Sequence, residues 1–153
     1  MLTRSEQETI SLGQELALKL KGGDIVALHG ELGAGKTTLV KGIAAGLGVK
    51  DDIVSPTFTL MNVYHLTTLP PNHLTTFVHI DTYRLKNEQE LIEIGVEDYL
   101  GDPKTVCVIE WPEKMQKLLK GMKTTRVTLS HGADNERKIV IRENTFLQKH
   151  ENT

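Results

Sequence analysis

The stretch GELGAGKT, residues 30–37, constrains this chain more than any other. It lies between an apolar run, IVALH (25–29), and a segment in which Leu39, Val40, Ile43, Ala44 and Leu47 recur at helical spacing. Strand, glycine-rich turn, helix: that order turns successive backbone N–H groups into one concavity and aims the helix's N-terminal dipole at the same spot. The string fits G-x-x-x-x-G-K-[ST], in which the lysine reaches terminal phosphates and the hydroxyl binds Mg²⁺. Gly33, Ala34, Gly35, Lys36, Thr37 and Thr38 are therefore expected to cradle a nucleotide's phosphates. The rival reading is a plain glycine turn followed by an incidental Lys-Thr pair. It explains neither the strand before the loop nor the amphipathic helix after it.

The rest of the chain supplies a fold around that loop. Ser5 and Glu8 fit a capping box, and Ile10, Gly13, Leu16, Ala17 and Leu20 share the face of a first helix that Gly22-Gly23 would end. DIVALH (24–29) is apolar on both faces, as a central strand is. Gly48 is placed to stop the helix after the loop. TFTLMNVYHL (57–66) and TTFVHID (75–81) suggest a hairpin across the loop TTLPPNH. A capped helix is expected from Asn87, a buried strand at KTVCVIE (104–110) and a short helix opening at Pro112. RVTLS (126–130) and KIVIR (138–142) resemble a C-terminal hairpin, with 144–153 a flexible tail. Together these predict an α/β fold: a three-layer, P-loop NTPase-like arrangement with a mixed, mostly parallel central sheet and a C-terminal β-hairpin, all in one domain over 1–153.

A phosphate loop needs acids nearby, because Mg²⁺ prefers carboxylates and the waters they hold. FVHID and VCVIE each end in one: Asp81 and Glu110. In open α/β sheets ligands sit beyond the carboxyl ends of strands, so parallel strands would bring both acids to the loop. Asp81 is the first choice for the metal-holding acid. Glu110 can hold Mg²⁺ through water or orient the attacking water. Thr57, in SPTF, is a candidate to sense a terminal phosphate or complete the metal shell, or is simply a β-former at a strand start. His79 shares a strand face with Asp81; a packing or hydrogen-bonding role suits it better than a metal. Trp111 suits a place near the nucleotide or a partner, or is a partly buried aromatic. Lys114, Lys117, Lys120 and Lys123 recur every three residues, on one slowly drifting helical side: a solvated face, or a basic patch for RNA or an acidic partner. No N-K-x-D segment is present, which favours ATP over GTP.

Composition excludes several classes. Eighteen basic and twenty acidic residues leave a net charge of −2, unlike a surface built wholly for nucleic acid. The one cysteine, Cys107, cannot form an intrachain disulfide and lies in the apolar VCVI. No apolar run is long enough to span a membrane, so a soluble cytoplasmic protein is expected.

GELGAGKTT, SPTFTL, HIDTYRL, ELIEIGVEDYL and VIEWPEK, in that order, closely resemble the bacterial tRNA threonylcarbamoyladenosine biosynthesis ATPase family, TsaE (YjeE), from about residue 5 to 142. The resemblance implies a small Mg²⁺-dependent ATPase that binds ATP and ADP. It implies a role, with TsaB and TsaD, in forming N6-threonylcarbamoyladenosine (t6A) at position 37 of tRNAs reading codons that begin with A. In the family TsaC makes the threonylcarbamoyl-adenylate and TsaD transfers the group; the resemblance implies that the ATPase resets or remodels the TsaB–TsaD complex between turnovers and meets tRNA only through that complex. The family's metal threonine falls on Thr37, its two acids on Asp81 and Glu110, and its tryptophan on Trp111. Its switch-like segment falls on Ser55-Pro56-Thr57, and further pocket contacts on Ser5-Glu6 and Arg137.

Two rivals remain. One is a nucleotide-gated adaptor of the same complex with incidental hydrolysis. The other is a small kinase, which would usually carry an arginine-rich lid; here five arginines are dispersed.

Overall fold

The computed structural model describes residues 1–56, 58–66 and 73–145. Its elements are β1 (Leu2–Thr3), α1 (Glu6–Ala17), β2 (Ile25–His29), α2 (Lys36–Gly46), β3 (Met61–His65), β4 (Thr76–Asp81), α3 (Gln89–Glu93), β5 (Thr105–Glu110), α4 (Gln116–Leu119), β6 (Lys123–His131) and β7 (Arg137–Thr145). Short 3₁₀ turns at Val96–Asp98 and Pro112–Met115 precede β5 and α4.

One seven-stranded sheet runs β1-β7-β6-β2-β5-β4-β3. Its central four strands are parallel: β2 pairs β5 and β6, and β5 pairs β4. The outer pairings β1–β7, β6–β7 and β3–β4 are antiparallel. The sequence-based expectation of a mixed α/β sheet with a C-terminal hairpin holds. The central strands are apolar on both faces because helices cover both. Val26, Leu28, Phe77, Val106 and Val108 face the layer of α1 and α2, with Leu16, Leu39, Val40 and Ile43 packed on them. Ile25, Val78, Ile80, Cys107 and Ile109 face the other layer, with Leu91, Val96, Met115 and Leu119.

Helices α1 and α2 cross closely because they meet through glycines. A Cβ on Gly42 would lie 2.2 Å from the carbonyl oxygen of Ile10. Ser5 caps α1 by accepting the Glu8 N–H at 3.1 Å, as expected, whereas the Glu8 carboxylate accepts the N–H of Arg4, not that of Ser5. Beyond α2, Gly48 sits at φ 90°, its N–H donating to Ala45 and that of Val49 to Ala44. This is a Schellman stop of the kind the glycine predicts.

Three expectations need correction, and one strand adds to them. Helix α1 ends at Ala17, well before Gly22. Strand β3 begins at Met61; residues 58–60 form a turn, and Thr57 lies outside the described residues. Strand β1, two residues held by β7, was not expected. The four lysines do not share a helix: Lys114 lies in a 3₁₀ turn, Lys117 in α4, Lys120 caps α4, and Lys123 opens β6. The positive φ of Gly121, 78°, breaks the period between them. Of the expected loop and tail, residues 67–72 and 146–153 lie outside the described residues.

Candidate functional site

The site forms where β2 hands the chain to α2. Gly33 and Gly35 adopt left-handed φ values of 77° and 99°, and Gly35 is the N-cap of α2 without a capping side chain. A side chain at either would be strained, so glycine is what lets the turn close; within it the Ala34 N–H donates to the Glu31 carbonyl at 3.1 Å. Lys36 opens the helix and is buried. Its ammonium donates to the carbonyls of Gly30 and, at 3.1 Å, Glu31. The same ammonium stands 3.8 Å from the centre of the Trp111 ring, a cation–π contact. Burial pushes its pKa down, and the charges of Glu110, Glu113 and Asp81 partly restore it.

The parallel register brings the strand-end acids to the loop. Asp81 pairs with Glu110, and Glu110 with Leu28 just before the loop. Glu110 is buried and accepts the Thr37 hydroxyl at 3.2 Å on Oε1 and 3.5 Å on Oε2. His79 Nε2 lies 2.7 Å from its Oε2. Asp81 accepts the Ser55 hydroxyl at 3.1 Å and the Tyr83 N–H at 3.0 Å. Glu110, more than Asp81, is the acid joined to Thr37. Trp111 takes a left-handed φ of 61°, a strained position for a side chain of its size. The Thr82 hydroxyl steadies it, lying 3.1 Å from the Glu110 carbonyl and 2.5 Å from that of Trp111. The ring also packs on Tyr83, with centroids 5.2 Å apart.

These groups line a cavity of about 850 Å³. Gly33, Ala34, Gly35, Lys36, Thr37, Thr38, Asp81, Glu110 and Trp111 all reach it, as do Ser5, Glu6, Ser55 and Arg137. Lys114, Lys117, Lys120 and Lys123 do not line it. Lys114 instead donates to the Tyr83 carbonyl. Sequence reasoning missed Arg4, Thr9 and Asn135, which reach the cavity from the residue after β1, from α1 and from the turn before β7. No local pattern marks them; the β1–β7 pairing that draws Arg4 in is a long-range event.

Among the described residues no three His, Cys, Asp or Glu side chains gather as a protein-only metal cage. Mg²⁺ does not require one, since one or two oxygens with water and phosphate suffice. The Thr37 hydroxyl and the carboxylates of Glu110 and Asp81 are hard oxygen donors of that kind.

A family model described as threonylcarbamoyl adenosine biosynthesis protein TsaE matches residues 3–139. The chain is 39% identical over 140 residues to a tRNA threonylcarbamoyladenosine biosynthesis protein TsaE of Treponema pallidum, covering 92% of this chain and 97% of that one. It is 34% identical to the protein of that name from Bacillus subtilis, covering 91% and 82%. The crystal structure of Bacillus subtilis YdiB superposes with a TM-score of 0.72 at 29% identity, over 95% of this chain and 84% of that one. A loop, two strand-end acids and a likeness that runs almost the length of the chain converge on one conclusion: this protein belongs to the TsaE family of threonylcarbamoyl adenosine biosynthesis proteins.

Proposed function

We propose that this protein is a Mg²⁺-dependent ATPase serving formation of t6A on tRNA, working in the cytoplasm with TsaB and TsaD. The observation that carries the reading is the meeting of Lys36, Thr37, Asp81 and Glu110 at one cavity beyond the strand ends. Family membership supports the pathway.

The division of labour follows from position. N–H groups of the loop and of the first turn of α2 bind phosphate oxygens, helped by the positive end of the helix dipole. Lys36 exchanges the carbonyls of Gly30 and Glu31 for the β- and γ-phosphates, which gives its buried charge a stronger partner. Thr37, with Asp81 and Glu110 behind it, would hold the metal, which would neutralise charge at the phosphates. Glu110 orients the attacking water. The water oxygen joins the γ-phosphorus as its proton passes to a phosphate oxygen, the bond to the bridging oxygen breaks, and ADP and phosphate leave. Trp111 and Arg137 border the space left for the rest of the nucleotide.

Calorimetry of ATP and ADP with Mg²⁺ tests the reading. Lys36→Ala is expected to weaken binding by at least about 10- to 100-fold, the loss of a charge-assisted contact. Unchanged affinity would overturn the loop's assignment. Glu110→Ala, assayed with TsaB, TsaD and tRNA, then separates hydrolysis from docking. If t6A formation continues at the normal rate without hydrolysis, the protein acts as an adaptor.

A further inference from the structure

Behind Glu110 stands a residue for which the proposed reaction has not yet found a use. His79 is fully buried in β4, on the α2-facing side of the sheet, and its Nε2 lies 2.7 Å from Glu110 Oε2. Its register partner is Val108, two residues before Glu110 on the same face of the neighbouring strand. The imidazole therefore approaches the carboxylate from the β4 side while Thr37 approaches from α2. Its other nitrogen, Nδ1, is buried and has no hydrogen-bond partner among the described residues. A core histidine kept only for packing would be better replaced by an apolar residue of similar size, since an unpaired buried polar atom costs free energy. The chain accepts that cost and receives in return one short contact, on the acid that joins Thr37.

We infer that His79 is a positioning residue: its Nε2–H donates to Glu110 Oε2 and fixes the carboxylate so that Oε1 faces Thr37 and the cavity. The inference rests on the reading of Glu110 as the acid that serves hydrolysis. Two donors divide the carboxylate's work. His79 holds Oε2 at 2.7 Å on the dry side, and the Thr37 hydroxyl meets Oε1 at 3.2 Å, with a longer reach of 3.5 Å to Oε2. A buried carboxylate with that single wall contact would be free to rotate about its last torsion, a broad and weakly preferring one. Donors behind a site's ligands set their orientation in this way, and losing one commonly costs about 10- to 100-fold in activity.

The first test needs no nucleotide. Long-range ¹H–¹⁵N spectra of the protein should show His79 as the Nε2–H tautomer, with a slowly exchanging Nε2 proton. An Nδ1–H tautomer would overturn the inference, because Nε2 would then present a lone pair to a carboxylate. The second test compares two variants. His79→Leu keeps bulk and removes the donor; kcat for ATP hydrolysis should fall about 10- to 100-fold, with KM and calorimetric ADP affinity within about 3-fold of wild type. His79→Gln sets an amide N–H near the place of Nε2 and should recover most of the lost kcat. If His79→Gln folds and is as slow as His79→Leu, or if His79→Leu hydrolyses at the normal rate, the inference fails. Should the wild-type protein neither bind nor hydrolyse ATP, the ATPase reading fails instead, and the tautomer still decides whether His79 orients Glu110.

Discussion

The two faces of the sheet are built differently. On one lie α1 and α2, of twelve and eleven residues, crossing close enough for glycine backbone to meet backbone. On the other lie only short pieces: α3 of five residues, α4 of four, and two 3₁₀ turns. Both faces bury a full apolar layer against the same strands. The difference lies in how each presents groups to the strand ends. The long-helix face holds Lys36 and Thr37 at the start of a helix whose whole length is packed. The short-element face turns the chain sharply after each strand, and so brings Trp111 and Glu113 beside the same loop. A fixed phosphate-facing wall meets a wall assembled from turns.

Cavity-forming substitutions should show the contrast most strongly. Leu39 on α2 and Leu91 on α3 are both fully buried. Leucine-to-alanine changes in cores cost about 2–5 kcal/mol, with the spread set by how far the site can collapse. Leu39→Ala is expected near the top of that range, because α1 pins α2 in place. Leu91→Ala is expected near the bottom, because a five-residue helix can settle inward. Urea denaturation of both variants checks this; equal losses, or a larger loss at Leu91, would break the comparison.

The glycine crossing offers a smaller and sharper probe. A methyl at Gly42 meets a main-chain oxygen that no rotamer change can move. Gly42→Ala should therefore cost about 1–3 kcal/mol despite alanine's better helix propensity, and lower Tm by several degrees. A neutral or raised Tm in a thermal scan would mean that the two helices can part freely.

How much of this could be read beforehand follows the same division. The loop was legible because its meaning is local: glycines, lysine and threonine lie within eight residues of one another. Ser5 and Gly48 were legible for the same reason, as a cap and a stop belonging to their own helices. Asp81 and Glu110 needed one inference more, that β4 and β5 run parallel to β2, and apolar strands ending in acids suggested it. What escaped was set at long range or by breaks in local pattern. Strand β1 exists only because β7 offers it partners, and Arg4 comes with it to the cavity. The lysine run kept a period of three in sequence while the chain passed from turn to helix to strand. For His79, spacing placed it on the face of Asp81 but not against Glu110, which lies on the next strand. The place of Thr57 lies outside the described residues.

The smallest expected effect concerns the join between the two walls. Glu113, in the turn after Trp111, lies 3.3 Å from Nδ1 of His29, the last residue of β2. Burial pushes its carboxyl pKa up. The hydrogen bond from His29, a backbone N–H and the charges of His29 and Lys36 outweigh that and leave it below the ordinary 4.5. A carboxyl whose folded pKa is lowered contributes stability that is complete above its unfolded value and disappears as pH falls through the folded one. Replacing it, Glu113→Gln, should therefore cost stability at neutral pH, by no more than about 1 kcal/mol because the side chain is partly exposed and screened. The deficit should shrink as pH drops below about 4.5 and vanish once the wild-type carboxyl is protonated. Denaturation curves for both proteins between pH 7 and 3 measure it. A deficit that stayed constant with pH would mean that Glu113 acts through packing alone, and that the turn-built wall is held to the loop by shape rather than by charge.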